Sequence, residues 1–480
     1  MPPVSFFQNL CDVTACAAAP RIPHRFLLGW LGFAAAVAVV PASTNPALTV
    51  AKPTPAPPRF KIEYLDRSVD PRADFARFAF GTWLKTNPIP ADKSRWGGFS
   101  ELAQFNLHAL RGILDEIAAR PHPPGSIEQK VGDFYASAID TAAIDAAGIN
   151  PLADDLARID GIATPDDLAR VLAELHAAGG SGLFRVGVSA DRKESARHAL
   201  YASQGGLSLP SRDYYFADAF AKQREAFIDH VEKLLTLAGA DLVLAKTDAA
   251  LVLALEKAFA AQAKTPAELR DALANYHKMP AAELAALVPA FPLQIYLEAR
   301  GLGGPEGAEI IVGQPEFFRG LQEQLGAQPL PMWKIYLRYH TLAAASLFLA
   351  APFEQEVFRF HQTVLRGTPA MEPRWQRATR ATDAALGEAL GRLYVARYYP
   401  PAAHARMDEM IANIRAVMRG RLETVDWMTE TTRQKVLEKF DRFVARIGHP
   451  ETWRDYSGVA ITRENYFSNI RAATRFESAR

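Results

Sequence analysis

The sequence predicts a mainly α fold, a large multi-helix lobe with one small β-hairpin insertion. Three observations carry that expectation. Apolar residues recur at three- and four-residue spacing over long stretches, as at Leu110, Ile113, Leu114 and Ile117. Helix punctuation brackets such stretches, with Thr164-Pro165-Asp166-Asp167 at a start and Gly448 and Pro450 at an end. Only between Gly179 and Phe216 does the texture change to β-type residues.

Taken in order, the chain opens with Arg21, His24 and Arg25 ahead of an apolar run from Phe26 to Val40 and a small-residue cleavage pattern at Val40-Pro41-Ala42. Residues 1–42 therefore read as a signal peptide, or as an uncleaved membrane anchor, although the run is short of the ~20 residues a bilayer span needs. Residues 43–59 form a proline-rich linker (AKPTPAPP at 51–58), and the folded part is expected from residue 60 to 480. Asp70 suits a helix N-cap and Pro71 the first helical position, with Phe75, Phe78, Ala79 and Trp83 as an apolar stripe. Asn87-Pro88-Ile89-Pro90 stops that helix, and Ser94-Arg95-Trp96-Gly97-Gly98-Phe99 follows as a bent loop.

A helix is expected from Glu101 to Arg120, burying Leu102 and Phe105 along with the residues above. Others are expected over Lys130 to Ile139 and from Thr164 to His176. Leu183 to Val188 and His198 to Ser203 read as a hairpin with Asp191-Arg192-Lys193 in its loop. Phe220 to Phe259 reads as helical throughout, and Gly301-Leu302-Gly303-Gly304-Pro305 as a loop between helices. Met407, Ile411, Ile414, Val417, Met418, Leu422 and Val425 predict a helix with a buried face, followed by another from about Thr431 to Ile447. Trp83, Trp96, Trp375 and Trp427 are expected in the core, as large aromatics at helical spacing usually are.

Composition bounds the function. The 54 basic and 53 acidic residues leave a formal charge of +1, with no basic stripe, so nucleic acid is not an expected partner. Both cysteines, Cys11 and Cys16, precede the expected cleavage point. A mature chain would then have neither disulfides nor thiolate metal ligands. Gly179-Gly180-Ser181-Gly182 lacks the last glycine of a nucleophile elbow, since Leu183 stands there, and reads as a plain loop. Gly301-Leu302-Gly303 is not a dinucleotide fingerprint. Asp154-Asp155 and Asp166-Asp167 sit near expected helix starts, where the helix dipole accounts for them.

One set of motifs goes further. Asp70-Pro71, Asp74-Phe75, Gly81, Trp83-Leu84, Asn87-Pro88-Ile89-Pro90 and Ser94-Arg95-x-Gly97-x-Phe99 resemble the entry segment of the neprilysin-like zinc metallopeptidases. Lys130-Val131-Gly132-Asp133-Phe134-Tyr135, Gln204-Gly205-Gly206-Leu207, Arg212-Asp213-Tyr214-Tyr215, Gly387-Glu388-Ala389-Leu390-Gly391 and Ile447-Gly448-x-Pro450 extend the resemblance over nearly everything after residue 60. It implies the N-terminal helical, substrate-gating domain of such an enzyme, and the signal-like N-terminus adds export to a bacterial periplasm or beyond. Small peptides are the implied partners, and a membrane contact would come only through the N-terminal segment.

The resemblance also implies one zinc ion in the complete enzyme, held by His-Glu-x-x-His and a downstream glutamate. No histidine here is followed by glutamate and no two lie four apart. The thermolysin-like catalytic lobe is thus expected to be missing, with no metal ligand, no catalytic residue and no peptidase activity in this chain alone. An exported, non-catalytic peptide- or protein-binding module of the same descent is the alternative. By the resemblance, Arg95 is the substrate-binding candidate, because a guanidinium grips a peptide carboxylate through two parallel hydrogen bonds. The residues alone favour a structural arginine, stacked on Trp96 or paired with a nearby acid. A lobe separated from its partner is also expected to expose apolar surface near Asp455 to Phe476.

Overall fold

A computed structural model describes residue 59, residues 61–303 and residues 308–480. The expected signal or anchor, the linker to residue 58 and Gly304-Pro305 lie outside the described residues. Twelve helices of twelve residues or more carry the architecture. They are α1 (Phe75–Thr86), α2 (Gly98–Ala118), α3 (Ile127–Ile139), α4 (Pro165–Ala177), α5 (Ala221–Leu237), α6 (Leu242–Gln262), α7 (Pro315–Ala327), α8 (Leu330–Ala345), α9 (Arg374–Tyr398), α10 (Pro401–Thr424), α11 (Glu430–Asp441) and α12 (Tyr466–Ala479). None of the helices among the described residues is long and apolar enough to cross a membrane.

The mainly α reading holds, and the hairpin forms as β1 (Phe184–Ala190) paired antiparallel with β2 (His198–Gln204). Two short strands, β3 (His277–Pro280) and β4 (Glu309–Val312), extend it to four strands in the order β1-β2-β4-β3. The β2–β4 pairing is parallel, so the two halves meet across a long crossover that local pattern cannot reveal. The loop beginning at Gly301 therefore leads from a helix into β4 instead of separating helices.

Helix starts follow local chemistry. Thr164 Oγ1 accepts from the Asp167 amide and the Asp167 carboxylate accepts from the Thr164 amide, a complete capping box. Asp70 instead caps only a turn, bonding the Arg72 amide at 2.9 Å, and Asp74 caps α1 by accepting from Arg77 at 2.9 Å. The first helix accordingly starts four residues later than its proline suggests. A break at Gly239, which takes φ +91°, divides 220–259 into α5 and α6.

Three apolar clusters form the core. One packs α4, α6, α7 and α8 around the sheet, a second joins α5, α6 and α8, and a third joins α2, α3, α9 and α12. Leu110, Ile113, Leu114 and Ile117 are buried in the third, whereas Leu102, about one turn from the start of α2, is exposed. Trp83 is buried, Trp96 and Trp375 are half-buried, and Trp427 is 75% exposed, against expectation.

The larger correction concerns the last third. No residue of α10 or α11 is buried, and Met410, Ile414, Val417, Met418, Phe443 and Val444 are exposed. The apolar periodicity is genuine, but the two helices pack chiefly on each other, through Arg415 over the Phe440 ring at 5.0 Å. Arg415 also takes the Phe443 carbonyl at 2.7 Å, beyond the end of α11 at Asp441. The segment from Asp455 to Phe476, expected to be exposed, is instead seated in the core. Tyr456, Val459, Ile461, Tyr466 and Phe467 are buried there. Lys130 Nζ donates to the carbonyls of Tyr456, Ser457 and Val459, and Asn469 bonds Ser137 Oγ and both the amide and carbonyl of Thr462.

Candidate functional site

A cavity of about 1350 Å³ opens beside the sheet. One wall is the 179–182 loop with the β1–β2 hairpin, another is the second half of α9, and a third is 448–456 with the end of α12. Asn106 and Leu110 of α2 also line it.

The α9 wall is shaped by a kink. Leu386 takes non-helical angles (φ −131°, ψ 36°) inside the helix, just before Gly387. Asp383, Gly387, Glu388 and Gly391 all line the cavity around that kink. Burial pushes the Asp383 carboxyl up to about 6, partly opposed by Arg380. Glu388 accepts from the Arg454 amide at 2.8 Å and its guanidinium at 3.0 Å, and Arg454 also pairs with Glu477. This wall is charge-compensated.

On the opposite wall the backbone is held closely. The Gly182 carbonyl accepts from His176 Nε2 at 3.2 Å, so His176 Nδ1 takes the Tyr296 hydroxyl proton at 2.8 Å. Burial lowers His176 to about 4, which keeps it neutral near pH 7. Tyr336 Oη accepts from the Leu183 amide and donates to the Gly206 carbonyl. Gly206, at φ +70°, leaves no room for a Cβ against Tyr336 and the Leu183 backbone. Below this loop Ser181 Oγ lies 3.3 Å from His340 Nδ1, and His340 Nε2 lies 3.0 Å from the buried Glu256 carboxylate.

Peptidase family M13, through the model of its N-terminal part, matches residues 71–450. This chain belongs to that family. It is 28% identical to rat endothelin-converting enzyme 1 over 431 residues, covering 85% of this chain and 55% of that protein. Neprilysin-3 of Drosophila melanogaster is 27% identical over 436 residues, with the same coverage. Among solved structures, the zinc metalloprotease ZMP1 of Mycobacterium tuberculosis in complex with an inhibitor superposes with a TM-score of 0.81 at 29% identity. The match covers 87% of this chain and 64% of that one. PepO from Lactobacillus rhamnosis shares the fold, with a TM-score of 0.73 at 18% identity, over 83% and 64%. This M13 chain thus spans about half the length of the curated relatives it matches.

Zinc does not fit the described side chains. Among the described residues no three His, Cys, Asp or Glu groups converge to hold a metal. Arg95 lies exposed in the loop between α1 and α2 and does not line the cavity. Lys93 anchors that loop to Glu372 and Gln376 at the start of α9. Gly98, which opens α2, is eight residues before the cavity-lining Asn106, about 12 Å along the helix axis. Sequence reasoning did not single out His340, Glu256 or Asp383. Only the glycine-flanked Ser181 carried a local signal, and its partners lie 75 and 159 residues away.

Proposed function

We propose that this chain is the helical, cavity-bearing lobe of an exported M13 zinc metalloendopeptidase that acts on small peptides, the zinc and its glutamate base being supplied by a second lobe. The observation that carries this reading is the exposed apolar face of α10, with Phe443 and Val444 exposed just past α11, at the cavity end of α9. Met410, Ile414, Val417 and Met418 repeat with core periodicity yet stay exposed, which is what a helix pair awaiting a partner lobe would show. Covering one such side chain is worth about 1.5–3 kcal/mol, so a partner lobe would be held firmly.

In this reading the cavity encloses the peptide and excludes larger substrates by size. The alternating charges of Arg185, Asp383, Glu388 and Arg454 offer contacts to peptide side chains and backbone. Arg95 serves as a rim contact for the carboxylate of a peptide extending past the open end. The lobe alone binds peptides without turning them over.

Fluorescence anisotropy with a labelled set of peptides of five to fifteen residues tests this, run alongside a cleavage assay with and without chelator. Binding that does not depend on zinc, with no cleavage, is the expected result. Chelator-sensitive cleavage by this chain alone, or no binding by folded protein, would overturn it.

A further inference from the structure

We propose that Ser181 is an activated nucleophile, relayed through His340 to Glu256, and that the cavity supports a metal-independent acyl-transfer activity on small carboxylic esters. The site opens into the same cavity as the peptide reading above, but the proposal does not rest on that reading.

The relay is complete in side chains. Glu256 is fully buried, and four donors converge on its carboxylate: Ser208 N at 2.9 Å, Ser208 Oγ at 2.7 Å, Tyr215 Oη at 2.6 Å and His340 Nε2 at 3.0 Å. A carboxylate accepts, so Nε2 carries the proton and Nδ1 presents its lone pair. That lone pair faces Ser181 Oγ at 3.3 Å. The ring contacts Tyr336 and Tyr339 at centroid distances of 4.3 and 5.1 Å, which fixes its plane. Ser181 itself is exposed and lines the cavity. The order nucleophile, base, buried acid is the one recurring on unrelated folds, here with the two ring nitrogens exchanged so that Nδ1 faces the serine.

The backbone around Ser181 is conformationally specialised. Gly179 and Gly182 take φ +84° and +144°, and Leu183, at φ +48°, is the one non-glycine at positive φ among the described residues. Strain of this kind gathers where a reactive side chain must be held out from a turn. The Leu183 amide is occupied by Tyr336, but the amides of Ser181 and Gly182 donate to no group among the described residues. Lying at the nucleophile and one residue after it, they are the donors the proposal assigns to the oxyanion.

The chemistry balances with water as co-reactant. Ser181 Oγ bonds to the ester carbonyl carbon while its proton passes to Nδ1 of His340. Collapse of the tetrahedral species breaks the ester C–O bond, and the leaving alcohol takes that proton. Water then attacks the acyl-serine, giving its proton to Nδ1, and the acid departs as Ser181 Oγ recovers it. Glu256 stays a carboxylate and acts as a positioning residue.

The test uses the full chain in excess chelator, so a failure here leaves the peptide reading untouched. A fluorophosphonate probe followed by peptide mass mapping should place one adduct on Ser181. S181A should abolish the adduct, and H340Q should slow labelling by about 100-fold or more. E256Q should slow labelling about 10-fold or more per folded molecule, measured against a circular-dichroism melt; a purely structural role would move the melt and not that rate. Should H340Q fail to fold, S181C supplies a second reading. Its thiol should alkylate with iodoacetamide at least about 10-fold faster than Cys11 and Cys16 in the same chain. No adduct on Ser181 of folded protein, labelling unchanged in H340Q, or an S181C thiol no faster than the other two would overturn the proposal.

Discussion

Gly206 shows what a single residue decides. Its φ of +70° and the crowding by Tyr336 exclude a side chain, so Gly206→Ala should cost about 1–3 kcal/mol in urea melts. Asp383 sets a pH dependence of opposite sense to most carboxylates. Its folded pKa, about 6, stands above the ordinary 3.8, so the folded state binds the proton more tightly. The resulting stabilisation is full below pH 3.8 and is lost as pH rises through 6. Asp383→Asn should remove a component on the order of 2 kcal/mol from the stability difference between pH 4 and pH 7, leaving a flatter profile in denaturant melts. Lys130 is the third case. Its ammonium satisfies three carbonyls, so Lys130→Met should cost about 2–4 kcal/mol and loosen 455–461 first, read by hydrogen exchange.

At the scale of elements, the hairpin of α10 and α11 is the outlier. Its apolar face makes no core, so Ile414→Asp or Val417→Lys should change stability by less than about 0.5 kcal/mol while clearly reducing binding of a hydrophobic dye. The same substitution at Ile113, at the centre of the α2 face, should unfold the chain. Two faces with one periodicity therefore have opposite consequences. The kink in α9 works differently: Asp383 and Glu388, five positions apart, would diverge by about 140° round a regular helix, and the non-helical angles at Leu386 between them let both line one cavity.

For the whole molecule, three clusters hold one lobe together, and the long-range ties run between segments far apart in the chain. Arg374 reaches the Ala138 carbonyl and Glu354, and Arg471 pairs with Asp155. The expected consequence is cooperative unfolding of residues 61–480, with the α10–α11 hairpin the first part to exchange its amides. Titrating the chain with zinc should give no tight site, as read by calorimetry.

The helices of this chain were largely legible in its order of residues, because capping and apolar spacing act within a few positions. Thr164 with Asp167, and Ile113 with Ile117, needed no distant partner. The motif string from Asp70 to Pro450 likewise carried the family relation by itself. Which apolar face would find a neighbour was not legible: Ile414 and Ile113 look alike until packing covers one and leaves the other bare. Nor was the grouping of Ser181, His340 and Glu256, or the parallel β2–β4 contact, since each joins residues many tens of positions apart. Local sequence chooses the conformation of a segment, but only the folded chain brings remote segments together, and burial and charge partners exist only after that.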